Sequence, residues 1–582
     1  MALTGGDRVP TPRQRGAAGT GRIVAAQVAV LALLLAALGR GALGWLLAAP
    51  VAAALIALGF LRWRHRWLHA WLATGLRYLA RPRTVPATAD PAALLAFVEP
   101  TAEIGAEPGV IEDAGGVVAV LDLGEVGTLH SGPAIPLPPP VELRAAGGCD
   151  AVQLILAAVP AGDPGPAGTS YRQLTEGRVP ARCRALLAVR VSRADVSWSG
   201  EDLRRTLAGG LRRVERRLRR DGVAHRQLGG RALGAALADL APVVPQSPAG
   251  GEGWTDLRLG GLHQASLKVP RLDRLPVEIT EQLISRLLAL PAASTTVGLC
   301  ATTAGTDLVV RVAAGTPGGL ATAVSVAHRL LGTAGVVPER LDGRQRAGLA
   351  ATLPLARSLD AGRSPEVAIR AALPPSGLML GHNRHRQPVT VRLFRPEPTL
   401  AVLLGGVPAA QVLTLRALAL GARVVIQTAR PRSWEPFLRA VTLPTGEVTM
   451  APPGFAAPSA PAGPLAPQLV VLDAGRAPVP PVPAAAWRAC LVLREEVSAA
   501  DTAQLARADL VLLQSMPPDE GALVAAALGL GGSREWLSRI RPDLVGAVSR
   551  LGAGRSAVRW AILSLTDIER HVIGAPERVG AS

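Results

Sequence analysis

The sequence predicts a membrane-anchored α/β protein: an N-terminal two-helix transmembrane hairpin, a central α+β region, and a C-terminal, mostly parallel sheet built on a βαβ unit. Three observations carry this expectation. Two apolar runs, Ile23–Leu38 and Leu43–Leu61, lie almost back to back. Strand-length apolar runs alternate with helix-period stretches through the middle of the chain. Near residue 400 a strand, a glycine turn, a helix and a second strand follow with short connections.

The two apolar runs approach the 17–25 residues that a helix needs to cross a bilayer core. Arg13, Arg15 and Arg22 precede them, and Arg62, Arg64 and Arg66 follow. Basic flanks favour the cytoplasm, so both termini are expected there, with the turn around Arg40 outside. The second run follows the first at once, which argues for a retained hairpin rather than a cleaved signal peptide. Gly39, Gly41, Gly44 and Ala48 are small enough to let helices approach closely in lipid. Residues 1–22 form a basic tail and residues 23–61 the hairpin.

Residues 62–82 read as an amphipathic Trp/Arg helix continuing the second span. Trp63, Trp67 and Trp71 recur every fourth residue among Arg62, Arg64 and Arg66. Indole rings suit the headgroup level, and arginine pairs with lipid phosphate. The alternative is ordinary helix packing. Pro82 should end the helix, because the residue before a proline is pushed out of the helical region.

Residues 83–376 form the central α+β region. GVVAVLDL at Gly116–Leu123 is a strand, and Val152–Val159 and Ala185–Val191 have strand length. Between them, Ser131–Pro140 is a proline-rich loop. From Leu203 to Arg220, Leu203, Leu207, Leu211, Val214 and Leu218 fall on one helix face and arginines cover the rest. Arg204, Arg212, Arg216 and Arg219 are candidates for a basic contact face. The competing reading is a solvated face opposite a packed one. A strand at Gly261–Val269, a helix at Ile279–Leu290, a hairpin-like pair at Thr296–Val312 and a helix at Leu320–Leu331 complete an α+β layer pattern.

Residues 377–582 form the C-terminal α/β domain. Thr399–Leu404, Ala409–Leu420 and Arg423–Thr428 make the βαβ unit. Leu469–Leu472, Cys490–Leu493 and Asp509–Leu513 are buried-type strands expected to run parallel to it. Val558–Ser564 reads as a final edge strand.

The βαβ unit raises the possibility of a nucleotide site. A phosphate loop there needs G-x-x-x-x-G-K-[ST] or G-x-G-x-x-G. The chain offers GGVPAA at Gly405–Ala410, without the lysine, the Ser/Thr or the third glycine. Asp473, ending the strand VVLD, imitates a magnesium-holding carboxylate but has no phosphate loop to serve. His382 and His385 are three residues apart, fewer ligands than a metal site needs. Neither H-E-x-x-H nor G-x-S-x-G occurs. No catalytic, cofactor-binding or metal-binding residue is assigned, and no cofactor is expected.

The formal net charge is +18, yet Lys268 is the only lysine, and Ala, Gly, Pro and Arg are all abundant. That pattern reflects coding bias as much as function. Aromatic residues make up 3% of the chain, too few to support base stacking, and no nucleic-acid partner is expected. The four cysteines, Cys149, Cys183, Cys300 and Cys490, are far apart in sequence, as isolated thiols in a reducing compartment would be.

Several segments together carry a family likeness: the double hairpin, the Trp/Arg flank, GLHQASLKV at Gly261–Val269, LDGRQRAGLAATLPL at Leu341–Leu355, GHNRHRQPVTVRLFRPEPT at Gly381–Thr399, ARVVIQTARPRSWEP at Ala422–Pro436, and VRWAILSLTDIERHVIG at Val558–Gly574. The chain resembles EccE, a membrane component of the actinobacterial type VII (ESX) secretion system. The resemblance implies a non-enzymatic scaffold of the inner-membrane core complex that partners the EccB, EccC and EccD subunits and supports protein export. It brings no catalytic residues. The other reading is a membrane-tethered α/β enzyme or ligand-binding protein that uses the C-terminal sheet.

Overall fold

The computed structural model describes residues 27–574 except 29, 32–33, 35–48, 55, 58–59, 64–65, 86–89, 106–108, 125–126, 163–164, 194–198, 242–249, 360–364, 442–447, 456–461, 474, 476, 478–483, 532–533, 542, 552–553 and 556–557. The chain divides into two compact units, residues 1–83 and 84–582.

In the first unit, the expected hairpin 23–61 falls largely outside the described residues, as do Gly39, Gly41, Gly44, Ala48 and Arg64. Among the described residues no helix is long and apolar enough to cross a membrane. The Trp/Arg segment departs from the expected continuous helix. Arg62–Trp63 and Arg66–Trp67 pair as two short antiparallel strands, with Arg62 opposite Trp67. A new helix then begins and spans Leu68–Ala80. Trp63 and Trp67 favour helix less than the Leu and Ala that follow. The helix stops at Arg81, whose backbone is extended ahead of Pro82.

The second unit holds two large sheets. Among the described residues the first has thirteen strands, all paired antiparallel. Its centre is built from two copies of one βαββα pattern. The first copy is β1 (Gly116–Leu123), α1 (Pro140–Gly147), β2 (Ala151–Val159), β3 (Arg182–Ser192) and α2 (Gly200–Arg220). The second is β4 (Leu262–Val269), α3 (Val277–Leu288), β5 (Ser294–Thr302), β6 (Gly305–Ala314) and α4 (Pro317–Thr333). The strands lie in the order β4-β6-β5-β2-β3-β1, a palindrome of the two copies joined at β5·β2. The register of that joint is symmetric as well: Ala151 faces Thr302, and Thr296 faces Ala157. The internal likeness is visible in LLAVRVS of β3 and LVVRVAA of β6.

Period-two alternation sends Val117, Ala119 and Leu121 to one face of this sheet and Val118 and Val120 to the other. The first face is covered by α1, α2, α3 and α4. The second is covered by the helices Pro91–Val98 and Gly230–Leu240 and by Leu349, Leu353 and Leu355. The stretch expected as a loop, Ser131–Pro140, contains a short strand, Ile135–Leu137, which pairs with Ala371–Leu373.

The second sheet is mixed. β7 (Thr399–Leu404), α5 (Val407–Ala419), β8 (Arg423–Thr428), β9 (Val448–Ala451), β10 (Gln468–Asp473), β11 (Arg488–Arg494) and β12 (Leu510–Leu513) form its parallel half, in the order β9-β8-β10-β11-β7-β12. All five strands expected there are present and parallel. An antiparallel flank extends beyond β12: Leu544–Leu551, Arg559–Ile562, Leu378–His382, Pro388–Val391 and Leu129–Ser131. Arg559–Ile562 therefore lies inside the sheet rather than at its edge. Its outer neighbour is a strand from residues 378–382, a pairing that no local signal announces.

The central region also enters this second layer. Leu129–Ser131 supplies its last strand. The helix Pro166–Thr175 packs Tyr171 into the same core as α5. The Tyr171 hydroxyl donates to Gly377 C=O at 2.5 Å and accepts from Met379 N–H at 3.2 Å. Squeezed between sheet and helix, α5 is buried all round. Its Arg416 is buried and forms a two-pronged ion pair with Glu569 at 2.7 and 2.9 Å.

Candidate functional site

Ligands of open α/β sheets bind beyond the carboxyl ends of the strands, where successive crossovers leave for opposite faces. Here that point lies between β7 and β11. After β7 the chain enters α5 on one face, and after β11 it reaches the helix Thr502–Arg507 on the other. The residues at the opening are Gly405, Gly406, Asp473, Arg494, Glu495 and Gln514.

The protein's own groups fill this opening. Gly405 N–H donates to Arg494 C=O at 2.9 Å. Gly406 N–H donates to the Gln514 side-chain oxygen at 3.0 Å. A Cβ at Gly405 would come within 2.3 Å of the same oxygen, so a larger residue there would displace the Gln514 side chain. Pro408, the second residue of α5, has no N–H at all. A phosphate cradle needs free N–H groups at a helix start. In this turn two are already satisfied and a third does not exist.

Asp473 is buried and committed in the same way. It accepts from Thr428 Oγ1 at 2.9 Å, Trp434 Nε1 at 2.9 Å and Arg430 Nη2 at 2.8 Å. Arg430 also reaches Glu495 at 2.5 Å. Its hydrogen bond to Asp473 is the main cause that drives its pKa further up, so a fixed cation sits where a magnesium ion would have to approach. Arg494 pairs with Asp501 at 3.0 Å and donates to Gly475 C=O. Sequence reasoning noticed Asp473 and Gly405-Gly406 but not Arg430, Trp434 or Gln514. The first two of those lie in ARPRSWEP, directly after β8, where strand-end residues face the same opening.

His385 takes a hydrogen bond from Arg384 at 3.0 Å, and no group of three His, Cys, Asp or Glu able to hold a metal occurs among the described residues. A separate cleft of about 1350 Å³ runs between α3 and the helix Pro166–Thr175, with Arg172, Arg178, Arg286, Arg386, Glu176 and Glu281 in its lining.

Of the expected membrane-interface residues, Trp67 and Trp71 are half-buried, and the Trp67 ring stacks with His69 at 6.5 Å. The side chains of Arg62, Trp63 and Arg66 lie outside the described residues.

The arginine helix α2 buries all five expected apolar positions. Ser199 caps its start, accepting from Asp202 N–H at 3.2 Å. The adjacent Gly209 and Gly210 differ in their surroundings. A Cβ at Gly210 would meet Cys149 Sγ at 2.6 Å, because α1 crosses there, whereas one at Gly209 would meet only the end of Arg213 at 3.7 Å. The arginines divide into two sets. Arg204 pairs with Glu112, Arg205 with Glu201, Arg217 with Glu142 and Asp221, and Arg213 donates to Gly147 C=O at 2.6 Å. Arg212, Arg216 and Arg219 are exposed and have no hydrogen-bond or ion-pair partner among the described residues. With Gly209 and Arg213 they line a shallow groove of about 350 Å³. Of the expected basic face, Arg204 is thus engaged and the other three are open.

No curated protein matches the chain. Residues 179–269, which run from the start of β3 through α2 to the end of β4, match the family described as "Putative type VII ESX secretion system translocon, EccE". Over that segment the chain is similar to the EccE family, the family its sequence also resembles.

Proposed function

We propose that the chain is a structural, non-enzymatic subunit of the membrane-embedded type VII secretion core. The family match over residues 179–269 carries this reading. The strand-end opening supports its non-enzymatic part, because the groups that would meet a nucleotide are held by Gln514, Arg430 and Trp434. The two apolar runs at 23–61 would anchor the chain in the inner membrane with both termini cytoplasmic, Gly39, Gly41, Gly44 and Ala48 lying at helix contacts. The helix Leu68–Ala80 supports an interfacial position: Leu72, Leu76 and Leu79 are exposed along one side of it, as in a helix lying against acyl chains. EccB, EccC and EccD are the partners proposed from the resemblance.

Purification of the tagged full-length protein in mild detergent, followed by mass spectrometry, tests the reading. Co-purification of a large membrane ATPase and a multi-spanning channel subunit is expected, with no binding of ATP up to millimolar concentration by the isolated subunit. Recovery of the chain alone, together with saturable nucleotide binding, would favour the enzyme reading instead.

A further inference from the structure

We propose that the outer ridge of α2 is a docking surface for an acidic protein segment whose carboxylates repeat along about 10 Å. Arg212, Arg216 and Arg219 follow each other at spacings of four and three, so they share one side of the helix and span about 10 Å at 1.5 Å per residue. This side faces away from the stripe Leu203–Leu218 that enters the core.

Two independent observations separate this ridge from background charge. The first is Gly209. Gly210 is required by the close crossing of α1, but nothing of that kind constrains Gly209, where a side chain would meet ordinary space. A glycine inside a helix costs about 1 kcal/mol relative to alanine. That cost leaves the floor of the arginine groove open. The second observation is the duplicated helix α4. It follows β6 as α2 follows β3, and its Leu320, Ala327 and Leu331 are buried in the same core as Leu207, Val214 and Leu218 of α2. Aligned on those positions, α4 carries Ser325, Arg329 and Gly332 where α2 carries Arg212, Arg216 and Arg219. The fold therefore accepts this helix without the ridge.

The chemistry favours protein carboxylates. Guanidinium groups pair with carboxylates in two-pronged hydrogen bonds. A second copy of this chain, at +18, brings like charge. A lipid surface fits poorly, since the apolar face of α2 is already buried and no large exposed apolar residue lies on the helix. The proposal stands apart from the secretion reading.

The test uses the full-length protein in detergent at 50 mM salt and two labelled helical peptides of equal composition. One carries glutamates at i, i+4 and i+7; in the other they are spread around the helix. Anisotropy is expected to show at least tenfold tighter binding of the first. Replacing the three arginines together (R212Q, R216Q and R219Q) should abolish that preference. Gly209→Ala should raise the melting temperature while weakening the first peptide several-fold. Equal affinity for the two peptides would overturn the proposal, as would binding unchanged in either variant. Stronger adsorption to phosphatidylglycerol vesicles than to the first peptide would also overturn it and assign the ridge to lipid.

Discussion

Arg190 and Arg311 occupy matched places in β3 and β6, and both are buried in the middle of the first sheet. Their environments differ. Arg311 donates to Thr352, Gln264, Thr296 and Leu240 C=O, neutral acceptors throughout, and burial lowers its pKa to about 10. It therefore stays charged at neutral pH. Arg190 grips Asp113 at 2.6 and 2.8 Å. Burial pulls the Asp113 pKa up, but the bonds and charge of Arg190, with Arg357 nearby, outweigh it and hold the carboxyl below 3.8. A carboxyl whose folded pKa is depressed stabilises the fold above its unfolded pKa, and the contribution is lost as pH falls through the folded value. Asp113→Asn should cost about 3–5 kcal/mol at pH 7, because it leaves a buried guanidinium half-satisfied. Thermal melts at pH 7, 5 and 3.5 should show the gap between wild type and variant narrowing only at the lowest pH.

The duplicated βαββα units converge on one carbonyl. Gln153 of β2 donates to Ala351 C=O at 2.7 Å, and the matched residue of β5 is Gly298, whose added Cβ would lie 2.4 Å from the same oxygen. The obstacle is main chain, which cannot rotate away. Gly298→Ala should cost at least about 1–3 kcal/mol, the usual range for overpacking, and a lowered melting temperature will reveal it. Elements of this kind were legible in the sequence where their own residues define them. The leucine stripe of α2, the strand GVVAVLDL and the βαβ unit all fall where periodicity puts them. The helix Pro166–Thr175, with few apolar residues, gave no such stripe, and Tyr171 is buried by distant segments, α5 and residues 377–379. The duplication escaped notice because LLAVRVS and LVVRVAA are short and their copies are interrupted by insertions. At the strand-end opening the aspartate and the glycine pair were legible. The arginine, tryptophan and glutamine that occupy them were not, because strand order brings those residues together from distant segments.

The two sheets of the second unit share chain segments on both sides of residue 376. A fragment of residues 377–582 would lack the strand Leu129–Ser131 and the helix Pro166–Thr175, and so would uncover one side of the fully buried α5. That fragment should aggregate when expressed alone, whereas residues 84–582 should elute from gel filtration as a discrete species. A soluble, folded 377–582 fragment would show that the shared segments are dispensable. The Arg416–Glu569 pair belongs to the same shared region, since Thr566 in the Glu569 capping box meets Ser170 at 2.6 Å.

The joint between β2 and β5 also sets a clock for synthesis. β2, reading AVQLILAAV, is complete at Val159, but its partner is complete only at Thr302. At about 5–20 residues per second, the intervening chain takes roughly 7–30 s to emerge from the ribosome. Throughout that interval the first half presents an apolar strand with one unpaired edge, the kind of edge that recruits other nascent chains. Crowded polysomes are therefore where this molecule is most exposed to mispairing.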